Sequence, residues 1–280
     1  MVVRKFAHIV ICLAFAAVTG HTQQPVSGTL VVAVPVPEGL VVCADKRLYN
    51  HTTNAFTDDA VKIRRVGDRA LFVATNTIGF LDKESRTIEF DVFQITENYA
   101  AARPFVPDAS YWKGLKEELQ KRFIDYLSRR PFREWPETDR ANNKLLFNLI
   151  FYSVTSGRAR SYSLKAFYEK ARTPVFQIPD VVSEEVKSPK LSGKGRDVMT
   201  VLSRDPQLSR DPSILQFDQS RFDLKAVTVK GSVGFAAKLF SITAKGAPLA
   251  RVSAAHDCAM LSYQRGFRWI DDIDPAITTK

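Results

Sequence analysis

Residues 29–45 read TLVVAVPVPEGLVVCAD, and residues 60–66 read AVKIRRV. In the first stretch, β-branched and apolar residues fill 30–36 and 40–44, the composition of two buried strands. Pro37, Glu38 and Gly39 between them make a turn, because Pro fixes φ and Gly accepts a positive φ. An antiparallel hairpin is expected, with Asp45 at its far end. The second stretch is expected as a third strand, 60–66, returning at Gly67 and Asp68 into 69–75. On such a strand Lys62 faces opposite to Val61 and Ile63, so packing those two in the core sends the ammonium to the other face.

The rest of the chain repeats this local pairing. Residues 147–154 and 160–167 are expected as a hairpin around Ser156 and Gly157. Trp112, Leu115, Leu119, Phe123 and Leu127 share one face of residues 111–128, which makes a helix that packs on a core. Further helices are expected at 197–202 and 227–244, and strands at 257–263 and 267–270 close the domain. This order gives an α+β class: two antiparallel sheets covered by helices, a four-layer αββα sandwich, and not a doubly wound fold. Segments 131–143 and 174–194 are Pro-rich and read as long loops. The two copies of Ser-Arg-Asp-Pro at 203–206 and 209–212 read as consecutive Asp-Pro turns.

Composition excludes several classes. With 280 residues, 45% hydrophobic and 25% charged, the chain is an ordinary globular sequence, and three cysteines are too few for a disulfide scaffold. The apolar run at 6–18 follows Arg4 and Lys5 and precedes small residues at Val18, Thr19 and Gly20. That is the pattern of a signal peptide over 1–20, too short to span a bilayer, and it predicts an exported protein. Its loss removes two positive charges and no acid from a net charge of +10, so the mature protein stays basic. No aromatic-interleaved basic motif points to nucleic acid as a specific partner. Cys43 and Cys258 remain after residue 20, and both lie in apolar strand patterns. They are read as two small buried residues, with a bridge as the alternative in an exported protein.

His-Glu-x-x-His, paired Cys-x-x-Cys, Gly-x-Ser-x-Gly and the phosphate-binding Gly-rich loop are all missing, so no metal or cofactor is implied. His21, His51 and His256 are read as structural. Gly28-Thr29 at the first strand, Asp45 at the end of the second and Lys62 on the third form the one constellation that stands out. Taken on residue type alone, Thr29 is a strand opener, Asp45 a strand-end cap and Lys62 a solvated side chain.

Residues 29–45 and 60–66 together resemble the start of proteasome β-type subunits and of the peptidase subunit of the bacterial two-component protease, within the N-terminal nucleophile hydrolases. The resemblance covers residues 28–75 and thins to pattern level beyond them; residues 79–110 differ from the family's first helix. It implies one proteasome-like domain over 29–280 with an atypical 79–146 segment, and a possible propeptide at 21–28. It also implies that the bond between Gly28 and Thr29 is cut, that the freed Thr29 is the nucleophile, and that Asp45 and Lys62 support it. The chemistry is sound, since a terminal α-amino group near pKa 8 can take the hydroxyl proton and a neighbouring Lys held by Asp lowers the hydroxyl's own pKa.

Departures fall on functional positions. Asn76-Thr77 stands where the family has Gly-Gly, leaving the backbone N–H of Asn76 as oxyanion donor. Lys194, between Gly193 and Gly195, replaces a serine, and residues 250–253 replace Asp-x-x-Ser. Two functional readings follow: a threonine-type peptide or amide hydrolase that processes itself at Gly28-Thr29, or a secreted non-catalytic relative that binds or assembles. The resemblance alone implies homo-oligomers.

Overall fold

Chain direction reverses at Pro37-Glu38, and Gly39, at φ +156°, then passes against the backbone carbonyl of Leu261, where a Cβ would sit 1.9 Å from the oxygen. In the computed structural model, which describes residues 24–27, 29–50, 55–81, 88–136, 144–247 and 251–270, every position of the two strands flanking this turn is buried. A short strand, β1 (Gln24–Ser27), precedes them. They are β2 (Leu30–Val36) and β3 (Gly39–Asp45), antiparallel in the register Val36↔Gly39 through Val31↔Ala44. Then come β4 (Leu48–Asn50), β5 (Phe56–Thr57), β6 (Arg64–Gly67), the long β7 (Ala70–Leu81) and β8 (Ile88–Asp91).

Two helices follow. Asp91 caps the first, α1 (Val92–Ala102), by accepting from the N–H groups of Phe93 and Gln94. Asp108 caps the second, α2 (Ala109–Ser128), whose buried face carries the five apolar residues expected from the 111–128 pattern. A hairpin, β9 (Leu145–Thr155) and β10 (Arg158–Glu169), leads to β11 (Val175–Gln177), β12 (Val182–Glu185) and β13 (Lys190–Gly193). Next are α3 (Gly195–Arg204), the single turns α4 (Pro206–Ser209) and α5 (Pro212–Leu215), and α6 (Val229–Gly246). Strands β14 (His256–Ser262) and β15 (Gly266–Trp269) end the described chain.

All strand pairs are antiparallel, and the described strands form two sheets, so the molecule is α+β. The larger runs β11-β10-β9-β7-β1-β4-β5, with β12, β6 and β8 attached; the smaller is β13-β2-β3-β14-β15. Three apolar clusters hold them. One joins β7 and β9 residues such as Phe72, Phe80 and Phe151 to Val92, Leu115 and Phe123 of the first two helices. Another joins Leu30, Val32, Val41 and Cys43 to Val198, Leu239 and Phe240. The third collects Val31, Ala33, Val42, Leu71, Val73, Ile150 and Tyr152, the alternate residues of both sheets. Period-two alternation therefore decides which cluster each strand residue joins.

Several expectations are corrected. Segment 174–194 is not a loop, since β11, β12 and β13 extend the sheet edges. The Asp-Pro turns are caps: Asp205 and Asp211 accept from the first N–H groups of α4 and α5, with Pro at their N-termini. Lys62 does not lie on a strand, because β6 begins at Arg64; Val61 is exposed while Lys62 and Ile63 are both buried, so the alternation fails there. Cys43 and Cys258 are bonded, brought opposite each other by the β3–β14 register. Residues 1–23, Gly28 and Ala250 lie outside the described residues. Among those described, no helix is long and apolar enough to cross a membrane.

Candidate functional site

Strand β1 ends in the larger sheet, where Ser27 pairs with Tyr49 and Thr77, and β2 begins in the smaller, where Leu30 pairs with Gly193. Thr29 thus stands where the chain enters the smaller sheet. Thr29 sits there at 1% exposure, in phase with Val31 and Ala33, which face the other sheet. Its carbonyl accepts from the Lys194 N–H at 3.0 Å. Gly193 makes this approach possible: at φ +68°, a Cβ on it would meet the Thr29 oxygen at 2.0 Å.

Asp45, at the end of β3, is fully buried and surrounded by donors. Its Oδ1 accepts from the Leu30 N–H at 2.6 Å, and its Oδ2 from the N–H groups of Arg47 at 3.1 Å and Ser253 at 3.5 Å. Lys62, 1% exposed, donates to Oδ2 at 3.1 Å and to the Arg47 carbonyl at 2.5 Å. The carboxylate is therefore bonded both to Lys62 and to the residue that follows Thr29. Burial drives the Lys62 ammonium below its ordinary range, opposed by the attraction of Asp45. Burial likewise raises Asp45, opposed by Lys62 and by the N–H of Leu30. A lysine so placed gives up a proton more readily than a solvated one.

Arg47 and Asp58 surround this pair, and the sequence reading did not select either. Arg47 reaches Asp58 through two bonds of 2.7 Å, and its guanidinium lies 4.1 Å from the Phe56 ring centroid. The fork holds Asp58 below the usual carboxylate range. Ser253 belongs to the segment that departs from the family pattern, yet its N–H meets Asp45 and its hydroxyl accepts from the Ala255 N–H. An Arg and an Asp either side of a candidate pair, on a sequence rich in exposed charge, give no signal until the strands fold.

No protein-family model matches this chain, and no curated protein matches it. Among solved structures it is similar to one titled "Anbu (Gly-1) mutant from Hyphomicrobium sp. strain MC1", at 13% identity and a TM-score of 0.48, over 89% of this chain and 90% of that one.

Asn76, the expected oxyanion donor, lies within β7 opposite Phe147 of β9, half-buried and with φ at +68°. Its neighbour Thr77 pairs with Ser27, so the backbone at 76–77 runs beside the chain that enters Thr29. Thr75, also buried, would lie 3.1 Å from a Cβ on Gly193. The fold thus gathers Asp45, Lys62, the backbone of Lys194 and the segment at Asn76 around the point where Thr29 enters the smaller sheet. Among the described residues, no group of three or more His, Cys, Asp and Glu is arranged to hold a metal ion.

Proposed function

We propose that this chain is a proteasome-like N-terminal-threonine hydrolase of peptide or other amide bonds, acting after cleavage between Gly28 and Thr29. The buried Asp45–Lys62 pair, hydrogen-bonded to the residue after Thr29, carries this reading, because a fully buried ion pair costs desolvation that packing alone does not require. In the proposed processing step the Thr29 hydroxyl oxygen attacks the Gly28 carbonyl carbon, the C–N bond breaks, and the nitrogen takes a proton to become the Thr29 α-amine. Water then hydrolyses the ester. In turnover that amine takes the hydroxyl proton as the Thr29 oxygen attacks the substrate carbonyl carbon, passes it to the nitrogen as the amide C–N bond breaks, and water hydrolyses the ester to free Thr29; Lys62 stabilises the developing oxygen charge, Asp45 holds Lys62, and the Asn76 N–H donates to the carbonyl oxygen of the substrate.

The accompanying readings are proposals as well. Three apolar clusters, one between the sheets and one under the helices of each, support a four-layer αββα sandwich formed by a single domain over 29–280. The Cys43–Cys258 disulfide supports export, since such bonds persist in oxidising compartments. The homo-oligomer rests on the sequence resemblance.

The non-catalytic reading keeps one specific observation in its favour. β1 is paired on both sides within the larger sheet and Thr29 is 1% exposed, an arrangement suited to an uncut chain that binds or assembles. Exposure of the native protein to a peptide epoxyketone, followed by intact mass measurement, separates the two. The hydrolase gains one inhibitor mass at the fragment beginning with Thr29; an unmodified chain that remains joined through Gly28 supports the second reading instead.

A further inference from the structure

The β6–β7 and β14–β15 hairpins meet where the Phe267 N–H donates to the Asp68 carbonyl. Beside that contact is a cavity of about 480 Å³ whose walls include Arg64, Arg65, Arg268, Glu97, Phe267 and Trp269. Three guanidinium groups face one carboxylate. Their hydrogen-bonding capacity is not used up. Arg64 Nε stands 3.6 Å from Glu97, beyond hydrogen-bond reach, and is buried without an acceptor among the described residues. Arg268 Nε is buried and lacks an acceptor in the same way, while its Nη2 has the Met260 sulfur at 3.8 Å. Arg65, at the rim, pairs with Asp68 and lies over the Phe267 ring.

A guanidinium binds an oxyanion through two parallel bonds from its planar fork of N–H groups. Arg64 Nε and Arg268 Nε are themselves sealed off, so a ligand in the cavity has the terminal nitrogens of these guanidinium groups to bind. Phe267 and Trp269, with ring centroids 5.4 Å apart, supply an apolar wall, and the volume suits a small molecule. We propose that this cavity binds a small organic oxyanion, a carboxylate or phosphate ester, with its apolar part against Phe267 and Trp269. The net charge of +10 favours the encounter. Val61 and Ile63 also border the cavity, so its ligand sits against the segment that carries Lys62. The assignment does not depend on the hydrolase reading.

Thermal melts of the full chain at constant ionic strength test it, with phenyl phosphate, phenylacetate and the neutral phenylacetamide as probes. A saturable rise in Tm with either anion and none with phenylacetamide is expected, and the anion that produces it identifies the source of the oxyanion. Arg268→Gln weakens the apparent affinity at least about tenfold, as loss of a bidentate partner does. Arg65→Gln, at an exposed rim position, weakens it in the same direction without endangering the fold. Absence of any saturable rise up to about 10 mM anion, far above the range of a specific site, overturns the proposal. Equal rises in wild type and both variants overturn it too. Asp271 and Asp272 follow Trp269 and Ile270 in sequence, outside the described residues; a rise seen only in Asp271→Asn/Asp272→Asn assigns the cavity to the chain's own carboxylates and contradicts a free ligand.

Discussion

Two lysine–aspartate pairs in this molecule differ in little except water. Lys62 and Asp45 are 1% and 0% exposed, and Asp45 accepts from the N–H of Leu30, the residue after Thr29; Lys238 and Asp211 are 31% and 28% exposed and both bond to Ser213. In the open pair the ordinary order holds. Lys238, Ser213 and its backbone lower the Asp211 pKa from 3.8 to about 2. In the closed pair desolvation exceeds attraction, so Asp45 rises and Lys62 falls. The same residue types thus make a helix cap tied to α6 in one place and, in the other, a buried pair whose members are pushed toward their neutral forms. Burial, not residue identity, reverses the direction in which the aspartate shifts.

Removing one partner probes this difference most strongly. Lys62→Met leaves Asp45 buried without its cation, and a loss of about 3–5 kcal/mol is expected in urea unfolding, together with loss of cleavage at Gly28-Thr29. A variant of wild-type stability that still yields a Thr29 terminus erases the contrast between the pairs.

The disulfide gives the next largest effect, because it clamps β3 to β14 two residues before Asp45 and has no counterpart near Lys238. Replacing Cys43 and Cys258 with Ala is expected to cost about 2–4 kcal/mol. Hydrogen exchange sharpens the comparison: amides around Asp45 and Ser253 lose protection, while those of α5 and α6 keep theirs.

The smallest effect belongs to the open pair. With a folded pKa of about 2 against an ordinary 3.8, Asp211 stabilises the fold above pH 3.8 and loses that contribution as the pH falls toward 2. Asp211→Asn is expected to leave Tm within about 2 °C of wild type at pH 7, as exposed pairs contribute little. Its melting curve between pH 4 and 2 falls less steeply than that of the wild type. A neutral-pH loss as large as that of Lys62→Met makes the two pairs equivalent.

Legibility in the sequence followed the range of the interactions. The β2–β3 hairpin and the position of Asp45 were readable, since Pro37, Gly39 and the β-branched flanks act locally. So was α2, whose apolar residues recur every three or four positions. α1 was missed although Asp91 gives its N-cap, because Val92, Phe93, Thr96 and Tyr99 mix a polar residue into the buried face. β13 was missed because Lys190, Leu191, Ser192 and Gly193 look like a loop and become a strand only by pairing with β2. The resemblance marks Lys62 and the local pattern puts it on a strand, whereas its buried bonds to Asp45 and Arg47 hold it just before one. The disulfide joins positions 215 residues apart, and nothing local records the β3–β14 register that aligns them.

The central claim is that Thr29 is a nucleophile freed by its own chain. N-terminal sequencing of the native protein, set beside Thr29→Ala, tests it most directly. The account predicts a sequence beginning Thr-Leu-Val-Val-Ala at residue 29 in the wild type and no cleavage after Gly28 in the variant. A stable wild-type chain that begins at any residue before Thr29 contradicts it.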